Sequence, residues 1–129
     1  MCFEKNSQNV LGTKLIPCSL DPLTGYTRDG FCKQHKLDHG NHIVCAVVDN
    51  AFLSFSKNRG NDLITPIPEY SFKGLKEGDS WCLCADRWIE ALNNGFAPSI
   101  VLEATHENLL KKIEFSILKK YGVELKNLN

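Results

Sequence analysis

Apolar residues are spaced differently in successive segments of the chain, and this spacing predicts its strands and helices. Residues 42–48 are mostly apolar and β-branched, which is typical of a strand covered on both faces. We expect this segment to be the central strand. Asp49 or Asn50 can then cap a helix that ends at Gly60. The apolar side of this helix consists of Phe52, Leu53 and Phe55.

The segment 78–91 contains both tryptophans and two of the six cysteines. If residues 81–85 are extended, Cys82 and Cys84 point to one face, because side chains alternate along a strand. From Asp86 onward, apolar residues recur at the intervals of a helix with one buried stripe. This stripe consists of Trp88, Ile89, Ala91 and Leu92, and Gly95 can end the helix.

Three turn signals lie close together in the N-terminal third of the chain. The Asp29-Gly30 pair suits a tight hairpin between residues 26–27 and 31–32, because glycine accepts a positive φ without steric cost. Residues 33–41 combine charged residues and histidines around a glycine, which is typical of an exposed connection. We therefore expect a loop-rich entry to the domain with one small hairpin.

Residues 59–80 show no sustained period, yet they contain several large apolar residues. Disordered segments are poor in such residues, so we expect a long loop packed onto the body of the domain. A further strand is predicted at residues 99–104. A helix capped by Thr105 and a last short helix at residues 116–121 follow it.

The order of the predicted elements is strand, helix, long loop, strand, helix, strand and helix. Such an order predicts helices packed on a small sheet. We predict an α+β fold, a small two-layer sandwich in which a short β-sheet is covered by three or four helices. The predicted organisation is a frayed N-terminus at residues 1–8, a single domain at 9–122 and a polar tail at 123–129.

Composition narrows the class of protein. A chain of 129 residues is typical of one domain with a substantial core. Fifteen Lys and Arg balance fifteen Asp and Glu, so the counterion release that favours nucleic-acid binding is not expected. No apolar run approaches the roughly 20 residues that span a bilayer, and the first residues lack an apolar signal-peptide core. We expect a cytoplasmic protein that binds neither nucleic acid nor membrane, in an oligomeric state that the sequence leaves open.

The Cys82 and Cys84 pair is the most specific candidate for chemistry. In a reducing cytosol, cysteines are more often thiols, metal ligands or redox groups than a disulfide framework. Two cysteines on one face of a strand can share a zinc ion, with Cys32, Cys45, Cys18 or a histidine completing the four ligands. The alternative is core packing, because cysteine is among the most often buried residues. No cofactor is predicted, and zinc is the alternative.

Polar residues at turns and element ends supply a second kind of candidate site. Loops on a rigid scaffold usually carry function, and His106 is expected at the carboxyl end of a strand, where open α/β sheets place ligands. The alternative role for each residue is a turn former, a cap or a surface ion pair. Well-marked nucleotide, hydrolase and calcium motifs are absent from the sequence. The candidate pocket residues are Arg28, Asp29, His42, Asn61, Asp62, Arg87 and His106.

A series of short motifs runs through most of the chain in one order. These motifs are Asn9-Val-Leu-Gly12, Pro17-Cys18, Asp21-Pro-Leu-Thr-Gly25, Arg28-Asp-Gly30, Val44-Cys-Ala46, Phe52-Leu-Ser-Phe-Ser56, Gly60-Asn-Asp-Leu63, Gly78-Asp79, Trp81-Cys-Leu-Cys84, Arg87-Trp88 and Leu102-Glu-Ala-Thr-His106. Over residues 9–110, the set resembles the uncharacterised family called domain of unknown function 2237. The resemblance implies a small intracellular α+β domain, and it brings no established activity or site residue.

Three functions are compatible with these features. The first is a polar pocket that binds or transforms a small metabolite. The second is a cysteine-centred metal-binding or redox-thiol module. The third is a partner-binding domain without chemistry, which would present a broad apolar surface. The sequence does not decide whether the protein is an enzyme.

Overall fold

The computed structural model describes residues 7–123, and within them a four-stranded sheet forms the centre of the fold. Its strands are β1 (Val44–Val47), β2 (Ser80–Leu83), β3 (Ser99–Val101) and β4 (Gly122–Val123), in the spatial order β2-β1-β3-β4. β1 pairs antiparallel with β2 and β3, and β3 pairs parallel with β4. The predicted central strand is therefore confirmed, and the sheet is mixed.

Three α-helices in the described part of the chain are α1 (Asn50–Asn58), α2 (Ala85–Asn93) and α3 (Phe115–Lys120). Asp49 caps α1, because its side chain accepts a hydrogen bond from the backbone N–H of Phe52 at 2.7 Å. The predicted stripe of α2 is confirmed, since Trp88 and Ala91 are fully buried. Together with the sheet, these helices confirm the predicted α+β class.

The sheet is covered on both faces, and the alternation of side chains along β1 decides which residues enter each layer. Val44 and Ala46 belong to the main core, which includes Phe52 of α1 and Trp88 of α2. Cys45 belongs to a second cluster of buried residues, which contains Cys18, Cys32, Cys82, Val101 and Ala104. The uninterrupted apolar run of β1 is thus explained by burial on both sides.

Several local predictions are wrong in an informative way. The expected hairpin at Asp29-Gly30 does not form, because the N–H of Gly30 donates to Thr24 O and Cys32 instead bridges to Thr105. The segment 81–85 is extended only to residue 83, since α2 begins at Ala85. The predicted strand at 99–104 ends at Val101 and continues as the 3₁₀ turn Leu102–Ala104.

The hydroxyl of Thr105 does not cap the following helix. It donates to Val101 O at 2.9 Å and accepts from the N–H of Cys45 at 3.1 Å. His106 caps the next 3₁₀ helix, Glu107–Lys111, in its place. Thr105 instead holds the second buried cluster to the sheet.

The ends of the described range are more ordered than the sequence predicts. Gln8 forms a bridge with Lys14, and its carbonyl accepts from the N–H of Glu107. Val123, the first residue of the predicted polar tail, belongs to β4. Residues 1–6 and 124–129 of these predicted terminal segments lie outside the described residues. Within residues 7–123, no helix combines the length and apolar character needed to cross a bilayer.

Candidate functional site

A cavity of about 330 Å³ lies between the N-terminal turns and the outer strand β2. Its wall includes Tyr26, Arg28, His42, Tyr70, Trp81 and Cys82. A neighbouring cavity of about 470 Å³ shares Arg28, Tyr70 and Trp81 with it. Both volumes fall in the range of small-molecule sites.

Asp38 and His42 form a hydrogen-bonded pair at this cavity. The Asp38 carboxylate accepts from the backbone N–H of His42 at 2.8 Å and lies 2.7 Å from its Nδ1. The Asp38 side chain is 1% exposed, whereas that of His42 is 40% exposed. Because a carboxylate only accepts, it fixes the proton on Nδ1 and leaves Nε2 as the acceptor of the neutral imidazole.

Gly40 sets the position of the His42 ring. A Cβ at residue 40 would lie 2.8 Å from Cε1 of His42, closer than such carbon atoms approach. The N–H of Gly40 also donates to the Asp38 carboxylate at 3.2 Å. The loop 38–42 therefore holds the acid and the imidazole as one unit.

Arg28 brings a positive charge to the same cavity. Its guanidinium lies over the Trp81 ring, 5.3 Å from the centroid, and donates to Gly25 O at 2.6 Å. Among residues 7–123, no carboxylate lies within ion-pair distance of Arg28. Its remaining N–H groups form no hydrogen bond to another described residue. Such a guanidinium is suited to hold a carboxylate or a phosphate.

Aromatic rings form much of the remaining wall. The ring of Tyr26 stacks near His42 with centroids 6.3 Å apart, and its hydroxyl donates to Leu37 O at 3.3 Å. Trp81 packs against Phe72 on the side of the neighbouring cavity, with centroids 5.2 Å apart. Flat rings of this kind favour a planar ligand.

Asp29 follows Arg28 in the sequence, but its side chain stabilises the turn and does not line the cavity. Its carboxylate lies 2.6 Å from Nζ of Lys33 and accepts from the N–H of Phe31. Burial alone raises the pKa of Asp29, but the hydrogen bonds and the charge of Lys33 outweigh it and lower the pKa below its ordinary value. Asp29 therefore supports the turn that carries Arg28.

Three other candidate residues lie around the end of α1, away from both cavity walls. The Arg87 guanidinium donates to Arg59 O at 2.9 Å, and the carbonyl of Asn61 accepts from the Ser56 hydroxyl. Asp62 accepts from the side chain and backbone of Thr65 and from the N–H of Ile64. These bonds lower the pKa of Asp62 to about 2. The structure thus separates Asn61, Asp62 and Arg87 from Arg28 and His42.

His106 lies apart from both cavity walls, after the 3₁₀ turn that follows β3. Its Nδ1 accepts from the N–H of Asn108 at 3.0 Å, and its backbone N–H donates to Ile43 O. The residue is 6% exposed, and burial lowers the pKa of its imidazole below the ordinary 6.5. β3 neighbours β1 and β4 rather than β2, so His106 does not join the cavity at β2.

This burial predicts a pH dependence of stability. The folded state binds the His106 proton less tightly than the unfolded state, so stabilisation is complete above pH 6.5 and is lost as the pH falls below it. We expect the urea midpoint to fall between about pH 7.5 and pH 5.5, above the range in which carboxylates titrate. The variant His106→Asn keeps an acceptor for Asn108 near the position of Nδ1 and should lose part of this dependence. An unchanged dependence in that variant would refute the assignment.

Four cysteines form two disulfides, contrary to the expectation of free thiols. Cys18 is bonded to Cys45, and Cys32 is bonded to Cys82. Within the described residues, Cys84 forms no disulfide and is half-buried at the start of α2. The predicted pairing of Cys82 with Cys84 on one strand face is wrong, because the chain leaves the strand before Cys84.

The predicted ligand set of Cys32, Cys45, Cys82 and Cys84 is corrected in the same way. The sulfurs of Cys18, Cys32 and Cys82 lie within 4.8 Å of one another, and Cys45 is bonded to Cys18. Cys18, one of the alternative ligands that the sequence offered, therefore belongs to this group, and Cys84 does not. As all these cysteines are in disulfides, the group is a cluster of sulfurs rather than a demonstrated metal site.

The sequence analysis did not identify Asp38, Tyr26, Tyr70 or Trp81 as site residues. Trp81 is 8% exposed yet contributes to both cavity walls. One available signal was the spacing of Asp38, Gly40 and His42, because an aspartate two residues before a glycine favours a turn closed by its own side chain. The Asp38–His42 contact follows directly from that turn.

Fold and site together define a class of protein, a small α+β domain with N-terminal loops cross-linked to its sheet and a polar, aromatic cavity at an outer strand. The chain belongs to the DUF2237 family, described as uncharacterized protein conserved in bacteria, whose family model matches residues 8–122. The resemblance seen in the sequence is thereby confirmed over nearly the whole chain. No curated protein matches the sequence. The family has no established activity, so the molecular function has to be argued from the site.

Proposed function

We propose that the protein binds a small planar anion in the cavity formed by Tyr26, Arg28, His42 and Trp81. We further propose that His42 exchanges a proton with the bound molecule. The observation that carries the proposal is the meeting of the Asp38–His42 pair and the Arg28 guanidinium at one cavity. Binding and proton-transfer groups at one concave site are typical of a site for small metabolites.

The charge of the cavity supports an anionic ligand. Arg28 is the charged residue in the wall of the smaller cavity, and its guanidinium has donors to spare beyond Gly25 O. A charge-assisted hydrogen bond of this type contributes about 1.5–3 kcal/mol. A carboxylate or phosphate would thus gain affinity here that a neutral analogue of the same shape would not.

The Asp38–His42 pair supports proton transfer. A buried carboxylate that holds Nδ1–H orients the ring and stabilises the imidazolium that forms when Nε2 takes up a proton. General acid–base catalysis requires such a group within hydrogen-bond reach of the ligand. His42 is exposed at the cavity and Asp38 is buried behind it. The imidazole can therefore reach a ligand while the carboxylate holds it in place.

A binding experiment with benzoate, phenyl phosphate and inorganic phosphate tests the proposal. Trp81 lies in the cavity wall, so ligand binding should change its fluorescence, and Trp81→Phe should lose this signal. Arg28→Gln should weaken binding of the anions by about 10- to 100-fold. Neutral benzamide should give only a weak fluorescence change with the unmodified protein and with Arg28→Gln.

Arg87→Gln is the matched control, because it removes a guanidinium on α2 that lines neither cavity. Binding by this variant should equal that of the unmodified protein. Equal weakening by Arg28→Gln and Arg87→Gln would indicate nonspecific attraction of anions. Failure of all three anions to bind would refute the proposal.

A second candidate function is a redox centre in the cytoplasm. Its supporting observation is the contact between two disulfides whose sulfurs come within 4.8 Å. Disulfides in the cytosol of mesophiles are usually transient and regulatory. The same sulfurs are the donor type that zinc prefers. We therefore infer that the two disulfides are reduced and re-formed as the redox state of the cytoplasm changes.

A further inference from the structure

Four buried cysteines from separate segments meet on one face of the sheet. Cys45 on β1 and Cys82 on β2 are directly opposite each other in the strand register. They are bonded to Cys18 and Cys32 of the N-terminal loops rather than to each other. All four residues are at most 3% exposed.

We propose that reduction of both disulfides turns this cluster into a site for one zinc ion, with Cys18, Cys32, Cys45 and Cys82 as its four ligands. The inference rests on the redox function proposed above, because the disulfides must open in the folded chain. Oxidised and zinc-bound forms then exclude each other, since a sulfur in a disulfide has no thiolate to offer.

A dithiol can reduce both disulfides. Each disulfide takes up two electrons and two protons, and the dithiol gives them up as it closes to its own disulfide. Opening Cys18–Cys45 and Cys32–Cys82 therefore yields four thiols. Binding of one Zn²⁺ then releases four protons to solvent as the thiolates bind the ion.

For three of the four sulfurs the distances require only small movements, whereas Cys45, which is bonded to Cys18, lies outside that group and has to approach Cys32 and Cys82. Zinc lies about 2.3 Å from each sulfur of a tetrahedral site, which places the sulfurs about 3.8 Å apart. Cys18, Cys32 and Cys82 already have sulfurs within 4.8 Å of one another. Two sulfurs that separate from a bond of about 2 Å each move by about 1 Å to reach that spacing.

Hydrogen bonds that do not involve sulfur hold the four segments in place. The N–H of Cys18 donates to Gly30 O at 2.7 Å, and the N–H of Cys82 donates to the Thr24 hydroxyl at 2.8 Å. The N–H of Cys45 donates to the Thr105 hydroxyl, and Cys32 bridges to Thr105. The sulfurs should therefore stay close together when the disulfides open.

Charge is the main cost of such a site. Four thiolates around one Zn²⁺ carry two net negative charges, which are costly in apolar surroundings. The Arg28 guanidinium lies at the same cavity as Cys82 and has no carboxylate partner among residues 7–123. It can offset part of this charge.

The test begins with full-length protein reduced anaerobically by a water-soluble phosphine, which is oxidised to the phosphine oxide. Thiol titration and circular dichroism first establish whether both disulfides open while the chain stays folded. Zn²⁺ or Co²⁺ is then added. We expect one ion per chain and, with Co²⁺, the visible and sulfur charge-transfer bands of a tetrahedral thiolate site. Oxidised protein should give neither.

Ligand identity is tested by two matched substitutions. Cys18→Ser should weaken metal binding by more than about 100-fold, the upper range for loss of a mere supporting group. Cys84→Ser should leave the affinity unchanged. Alkylation of the zinc-loaded unmodified protein gives a second readout that does not depend on how the variants fold. Cys18, Cys32, Cys45 and Cys82 should be alkylated more slowly in the zinc-loaded protein than in the reduced metal-free protein, whereas Cys84 should be modified equally in both.

The outcomes separate the two proposals. Disulfides that do not open without unfolding would overturn the redox function and, with it, this inference. Four free thiols in a folded chain that bind no metal, or that bind it through Cys84, would overturn the zinc site alone.

Discussion

Replacement of Trp88 by alanine should destabilise the protein by about 4 kcal/mol, because large-to-small changes of this type in a core cost 3–5 kcal/mol. Trp88 is fully buried between α2 and the sheet. Its indole N–H donates to Pro98 O at 3.1 Å, and its ring meets Tyr121 edge-on with centroids 5.4 Å apart. Alanine would leave a cavity and an unpaired carbonyl, and urea unfolding at neutral pH measures the loss.

Asn93→Ala is the control for the Trp88 prediction. Asn93 is exposed on the same helix, so its replacement should change the free energy of unfolding by no more than about 0.5 kcal/mol. Trp88→Phe should fall between the two variants, because it keeps a ring but loses the hydrogen bond to Pro98. A loss below about 1 kcal/mol for Trp88→Ala would contradict the central position assigned to α2.

Removal of the Cys32–Cys82 disulfide should cost about 4 kcal/mol. The bond closes a loop with a sequence separation of 50 residues, and the chain-entropy relation gives about 4.1 kcal/mol for that length. Cys18–Cys45, with a separation of 27, should contribute about 3.5 kcal/mol by the same relation. The test is urea unfolding of Cys32→Ala/Cys82→Ala and Cys18→Ala/Cys45→Ala in metal-free oxidising buffer.

Cys84→Ala provides the comparison for the disulfide variants, because Cys84 forms no disulfide among the described residues. Its change in unfolding free energy should be much smaller than that of either double variant. If both double variants are as stable as Cys84→Ala, the two cross-links do not exist in solution. The redox function and the zinc site would then lose their basis.

Much of the fold follows from local pattern. The apolar run of β1, the Asp49 cap of α1 and the Trp88 stripe of α2 each depend on neighbours in the sequence, and the structure confirms all three. Burial on both faces explains why β1 lacks alternation. These elements are the ones that local periodicity can identify.

The elements that sequence reasoning missed depend on distant contacts. β4 is two residues long and pairs with β3 through Ile100 and Val101, so it has no period to detect. The partner of Cys82 is fixed by the loop that carries Cys32, 50 residues away. The Asp29-Gly30 turn lacked a hairpin because Gly30 bonds to Thr24, which local propensity did not indicate.

Only part of the candidate site was predicted, because the remainder depends on contacts between distant parts of the chain. Arg28 and His42 were identified from their positions in turns, and both line the cavity. Asn61 and Asp62 share that turn-rich character but lie beyond the end of α1, and Arg87 lies on α2, where its guanidinium donates to Arg59 O. Residue type and turn position therefore identify polar side chains without deciding which of them meet.

The most direct test of the proposed binding site is a ¹H–¹⁵N NMR titration of the folded protein with benzoate, which also records the ring nitrogens of His42. We expect shifts at Gly25, Arg28, His42 and Trp81, with a change at Nε2 of His42 while Nδ1 keeps its bond to Asp38. Shifts confined to the region of Arg59, Asn61 and Arg87, or no shifts at ligand concentrations that saturate weak sites, would contradict it.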